Sequence, residues 1–115
     1  MQIHALTLDC TDTLAQARFW SAALHAPMAP DSDDEEAYIP AHDTTPALLF
    51  VRVPETKTTK NRLHLDLQAP PHSTRDTEIT RLRTLGARLL ADRRHPDGTG
   101  WAVLADPEDN EFCVG

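Results

Sequence analysis

The chain reads as the same succession of elements twice, and that repetition limits its fold more than any single motif does. Residues 2–10 alternate as a strand, with Leu6 and Leu8 on one face and Ala5, Thr7 and Asp9 on the other. A helix follows, with Thr11 or Asp12 as N-cap and Leu14, Ala17, Trp20 and Leu24 at helical spacing, until Pro27 stops it. Residues 28–45 are weakly patterned, with a short strand expected at 37–40, and 47–53 reads as a buried strand ended by Pro54. The second half opens with a strand over 62–68 and a helix begun by Ser73 or Thr74, which carries Ile79, Leu82 and Leu85 and is capped by Gly86. Strands at 87–91 and 101–105 flank a Pro-Asp-Gly turn at 96–98, and a turn over 106–110 leads to a last strand ending at Val114.

Each half is therefore read as strand, helix, strand, strand, strand. The expected fold is α+β, with two tandem βαβββ modules forming a curved mixed sheet with an open cleft. Module one is 1–55, the linker is the Lys- and Thr-rich 56–61, and module two is 62–115, all within one domain by length. Each helix covers one face of its sheet, and the uncovered faces make the cleft.

The run Lys60-Asn61-Arg62-Leu63-His64-Leu65-Asp66-Leu67 carries the strongest chemical signal. As a strand it sets Leu63, Leu65 and Leu67 on one face and His64, Asp66 and Gln68 on the other. The polar face, if covered, lines a cavity rather than a core, because a buried polar group without a partner costs roughly 1 to 3 kcal/mol. By their place in the repeat, Thr7 and Asp9 correspond to Asp66 and Gln68 and are expected to share in a polar cleft floor.

With a formal net charge of -7 and a pI near 5.2, the chain lacks the concentrated basic patch that nucleic acid or an anionic membrane surface requires. Five of its 18 carboxylates fall between Asp31 and Glu36, beside Pro27 and Pro30, which reads as a solvated loop; the ligand alternation and glycine of a calcium loop are missing. Cys10 and Cys113 are far apart in sequence, and no secretory signal or membrane span is recognised, so a reduced, cytoplasmic protein is expected.

Six pieces, in order and spacing, resemble the glyoxalase-like members of the vicinal oxygen chelate superfamily. They are Leu8-Asp9-Cys10-Thr11-Asp12, Phe19-Trp20, Leu48-Leu49-Phe50, the run from Lys60 to Leu67, Leu85-Gly86-Ala87, and Ala105-Asp106-Pro107-Glu108-Asp109-Asn110-Glu111-Phe112-Cys113-Val114. The resemblance implies paired βαβββ modules, a homodimer, and the cleft as the site of a small-molecule ligand. It also implies a divalent metal held by His and Glu or Gln on the first and last strands of each module.

Carried over position by position, that metal set is incomplete. His64 falls on the opening His position of module two, but the carboxylate position near the chain end falls on Cys113, with Glu111 two residues earlier on the same face. In module one the His position falls on Ala5, with His4 one residue out of register and so on the opposite face, and the last position falls near Val51. Two donors are too few for a metal that usually takes three or four protein ligands. No cofactor is therefore expected, with a divalent metal as the alternative.

The residues expected to meet a ligand are Thr7, Asp9, His64, Asp66, Trp101, Glu111 and Cys113. His64 is the candidate catalytic base, set against a hydrogen-bonded structural histidine. A Cys113–His64 nucleophile pair lacks a third, orienting group. Phe19 and Trp20 are read as core or dimer contacts, and Trp101 as core in preference to a stacking platform. His25, His42, His72 and His95 are assigned no role. Two function classes follow: a metal-free binding module, as the bleomycin-resistance members of the superfamily are, or an enzyme, either a metal-dependent lyase or dioxygenase or a metal-free isomerase using His64 as base.

Overall fold

Asp12 starts the first helix: its backbone is extended and its Oδ1 accepts the Ala15 N–H at 3.0 Å, which satisfies one of the free donors of the first turn. This helix, α1 (Thr13–Leu24), ends at His25 in the left-handed conformation, two residues before Pro27. In the computed structural model, which describes residues 1–115, α1 belongs to the first of two compact units, Met1–Thr56 and Lys57–Gly115. The first unit also holds β1 (Leu6–Cys10), β2 (Glu36–Ile39) and β3 (Leu48–Arg52). The central strand β3 pairs parallel with β1 and antiparallel with β2. α1 lies against β2 and β3, and Trp20, Ile39, Leu48 and Phe50 are almost wholly buried there. Phe19 and Trp20 are both core residues, edge to face at 5.4 Å.

The second unit contains β4 (Asp66–Leu67), α2 (Arg75–Leu85), β5 (Arg88–Arg94), β6 (Gly100–Ala105) and β7 (Glu111–Val114). Its sheet runs β4-β7-β6-β5, with β4 parallel to β7 and the other pairs antiparallel. Thr74 caps α2, and Gly86, at φ 120°, ends it with its N–H turned back to the Leu82 and Arg83 carbonyls. Ile79 and Leu82 project from α2 into a core with Ala102, Leu104, Phe112 and Val114.

Both units pair their first strand parallel with their last, so the repeat is one of topology. The first unit has three strands, however, where four were expected. The missing counterpart of β5 would lie between α1 and β2, where Pro27 and Pro30 remove backbone donors that a ladder needs. There the chain forms a turned loop instead. Asp33 Oδ1 accepts the N–H groups of Glu35 and Glu36, which hold its carboxyl below the usual range, and Thr13 Oγ1 donates to the Asp33 carbonyl at 2.6 Å. The acidic run is thus a built loop.

Two other expected strands are shorter than their alternation implied. β1 begins only at Leu6, leaving Ile3 and His4 exposed ahead of it. The strand expected over 62–68 is reduced to Asp66–Leu67, and Leu63 is 67% exposed rather than buried under a helix. Alternation specifies faces, but a strand also needs a neighbour, and β7 offers only four residues. No helix is long and apolar enough to cross a membrane.

Candidate functional site

One face of the second unit's sheet carries the chemistry. Along β6, Ala102 and Leu104 enter the core while Trp101 and Val103 point the other way; along β7, Phe112 and Val114 enter the core and Glu111 and Cys113 do not. The register places Val103, Cys113 and Asp66 side by side across β6, β7 and β4. Beside this row lies a cleft of about 760 Å³, whose lining includes Lys60, His64, Asp66, His95, Trp101 and Cys113. That volume falls within the range of small-molecule sites, roughly 300–1,000 Å³.

His64 and Asp66 meet, as their spacing of two requires: Nε2 and Oδ1 are 3.1 Å apart. They are not covered, the side chains being 43% and 75% exposed, so the expectation of a buried polar face is corrected: with β4 so short, His64 precedes the strand and stands in solvent at the cleft. Cys113 is part-buried against Asp66. Burial pushes its thiol up, and the charge and hydrogen bond of Asp66 add to the rise, against an opposing contribution from Lys60. A thiol held protonated is a poor nucleophile, so Cys113 serves as a weak donor on the cleft floor. Both cysteines are free, and Cys10 is buried in the first unit with its Sγ directed to the Val51 carbonyl.

Glu111 has a different task. Its carboxylate accepts Lys57 Nζ at 2.9 Å and the Asn61 N–H at 3.0 Å. Burial opposes its ionisation, but those two donors outweigh burial and hold its pKa at about 2. The stretch expected to be a free linker is therefore fastened to β7 from both Lys57 and Asn61. Glu111 cannot stand in for the missing carboxylate at Cys113, because its two oxygens are already committed.

Trp101 is 44% exposed and lines the cleft, which corrects the expectation of core packing. Its ring stands edge-on to His95 at 6.4 Å. The turn between β5 and β6 that carries this pair is held by Arg75, whose guanidinium donates to the carbonyls of Gly98 and Gly100. Thr7 and Asp9 lie on the exposed face of β1 in the first unit. Sequence reasoning assigned nothing to His95 and no role to Lys60. The signal for His95 was its place just before the Pro-Asp-Gly turn, which folds it back toward the strand that starts with Gly100 and Trp101.

A family model of a glyoxalase-like domain matches residues 5–115. This chain belongs to that glyoxalase-like family. Its fold is that of the vicinal oxygen chelate superfamily. A glyoxalase/bleomycin resistance protein/dioxygenase family enzyme from Burkholderia phytofirmans PsJN superposes with a TM-score of 0.76 at 16% identity, covering 99% of this chain and 97% of that one. A fosfomycin resistance protein, FosX, from Listeria monocytogenes, complexed with Mn(II) and 1S,2S-dihydroxypropylphosphonic acid, gives 0.75 at 16% identity over 98% and 87% of the two chains. Lactoylglutathione lyase from Agrobacterium tumefaciens gives 0.67 at 18% identity over 99% and 92%. No curated protein matches the sequence.

The glyoxalase-like domain does not fit the superfamily's usual metal set. Of the four positions that the resemblance implies, Ala5 offers no ligand atom, the pairing of Thr7 with Leu49 that mirrors that of Asp66 with Cys113 moves the last position of module one from Val51 to the equally apolar Leu49, and Glu111 is occupied by Lys57 and Asn61. A different trio does converge: ligand atoms of His64, Asp66 and Cys113 all lie within 4.8 Å of one another.

Proposed function

We infer that this glyoxalase-like domain binds a small organic molecule in the cleft of its second unit, without the usual metal, and acts as a binding module, in the cytoplasm and as a homodimer. The observation that carries this reading is the cleft itself. An apolar wall of Trp101 and Val103 shares its sheet face with Asp66 and Cys113, and Lys60, His64 and His95 reach the cleft from the adjoining loops, which is the pattern of small-molecule sites. Paired histidine and aspartate at 3.1 Å give it one fixed polar feature to orient a ligand. A ligand screen by thermal shift tests this directly, since a ligand that binds only the folded state raises its stability by mass action. The expected result is at least one class of organic ligand whose shift is lost in Trp101→Ala and reduced in His64→Ala. A screen without any such ligand overturns the reading. Light scattering of the purified chain tests the dimer.

A second reading is favoured by the His64, Asp66 and Cys113 trio, whose nitrogen, oxygen and sulfur donors are of the kind zinc accepts. On that reading the domain is a divergent metal-dependent lyase or dioxygenase. A third is a metal-free isomerase in which His64 takes the proton. Elemental analysis after reloading with zinc, nickel, manganese and iron separates them. One tightly held equivalent that disappears in Cys113→Ala supports the metal enzyme. Turnover that survives chelation but not His64→Ala supports the isomerase.

A further inference from the structure

We propose that the ligand of this cleft is a flat aromatic acid, its ring laid against Trp101 and its carboxylate held by Lys60. The proposal rests on the reading of the cleft as a ligand site and goes beyond it by naming what the site selects.

The charges are the first step. Of the basic groups around the cleft, Lys57 is neutralised by Glu111 at 2.9 Å and His64 faces Asp66 at 3.1 Å. Lys60 lines the cleft and has no carboxylate within ion-pairing distance. Lys60 is thus the one lysine at the cleft without a carboxylate within ion-pairing distance, and Asp66, hydrogen-bonded to His64, is the carboxylate there without a lysine or arginine. A single ammonium matches a single carboxylate. It does not match a di- or triphosphate, which calls for several cations or a row of backbone N–H groups at a helix N-terminus.

The wall is the second step. An indole left 44% exposed at the second position of β6 is a large apolar surface in water, and on a strand held on both sides by β5 and β7 it cannot turn inward without breaking the alternation that buries Ala102 and Leu104. Val103 continues the apolar surface on the same face. His95, edge-on to the indole, fixes the ring on one side, and the Arg75 bonds to Gly98 and Gly100 hold the turn beneath it. A planar ring covers such a surface better than an aliphatic chain and gains the additional aromatic contact energy.

Isothermal titration of the chain tests this with three probes of one size: 2-naphthoate, 2-naphthalenemethanol and 2-naphthylmethylamine. The carboxylate is expected to bind about tenfold more tightly than the alcohol, the scale of one charge-assisted hydrogen bond, and the amine more weakly than either. Lys60→Met removes the preference for the carboxylate over the alcohol. Trp101→Ala weakens carboxylate and alcohol together, and Trp101→Phe restores part of both, which separates a lost platform from a lost fold. Raising salt narrows the gap between carboxylate and alcohol. Equal binding of all three probes, or a carboxylate preference that survives Lys60→Met, overturns the proposal while a loss in Trp101→Ala still upholds the cleft as a ligand site. Binding by none of the three, together with a thermal-shift screen that finds no ligand, overturns both.

Discussion

Replacing Glu111 by glutamine removes a charge but almost no volume, and the structure sets the size of the effect. In the folded chain the carboxylate is held at about 2 against an ordinary 4.5. Lys57 and Glu111 side chains are only 19% and 18% exposed, so water screens the pair weakly. At about 1.36 kcal/mol per pH unit, that interval corresponds to roughly 3 kcal/mol of stability in favour of the ionised, folded form. The sign follows from the direction: the folded value lies below the unfolded one, so the contribution is complete above about pH 4.5 and is lost as pH falls toward 2. Glutamine keeps an acceptor for the Asn61 N–H but leaves the Lys57 ammonium without its counter-charge. Glu111→Gln is therefore expected to be about 2 to 3 kcal/mol less stable than the natural sequence at pH 7. At pH 3 the gap should shrink to about half, because the unfolded chain is by then protonated at this group and folding has to ionise it. Urea unfolding at the two pH values measures the gap. Hydrogen exchange at the Asn61 amide, which should lose protection in the variant, reports the same contact locally. A gap of equal size at pH 3 and pH 7, or one below about 0.5 kcal/mol at pH 7, would refute the account of how residues 57–61 are fastened to β7.

Gly100→Ala should cost about 2 kcal/mol or more, since Gly100 sits at φ 108° and an added Cβ would lie 2.3 Å from the Arg93 carbonyl oxygen; urea unfolding checks it. Asp106→Ala should cost about 2 to 3 kcal/mol, because this carboxylate, 1% exposed, accepts the N–H groups of Glu108 and Asn110 and the Asn110 side-chain amide, all left unsatisfied in the variant. Asp66→Asn should let the Cys113 thiol ionise more readily and quicken its alkylation by iodoacetamide at pH 8 severalfold, with Cys10, 2% exposed, as the unreactive control. An unchanged rate would mean that Asp66 does not act on the thiol.

Helix boundaries were the most legible part of the fold, because their signals are local. Asp12 and Thr74 are capping side chains within three residues of the amides they accept, and Gly86 supplies the conformation that ends α2. The turn at Asp106 was legible for the same reason. The pairing of His64 with Asp66 followed from alternation alone, and so did the face shared by Glu111 and Cys113. Strand lengths were less legible. Residues 62–65 alternate as well as any strand does, yet most of them have no neighbouring backbone to bond, and Leu63 is left in solvent.

The residues alone settle both helices with their ends, the strand order of the second half and the family to which the chain belongs, but not the strand count of the first half, where the expected fourth strand does not form. They also settle that Ala5 brings no donor to a metal, since side-chain chemistry needs no coordinates. Contacts across the fold, not local pattern, spend Glu111 on Lys57 and Asn61, set Trp101 at the cleft rather than in the core, and leave Lys60 as the lysine there without a carboxylate partner. The reason is that these depend on contacts between residues as many as 54 positions apart. Local pattern says which way a side chain points, whereas which group it meets is settled by the register between strands.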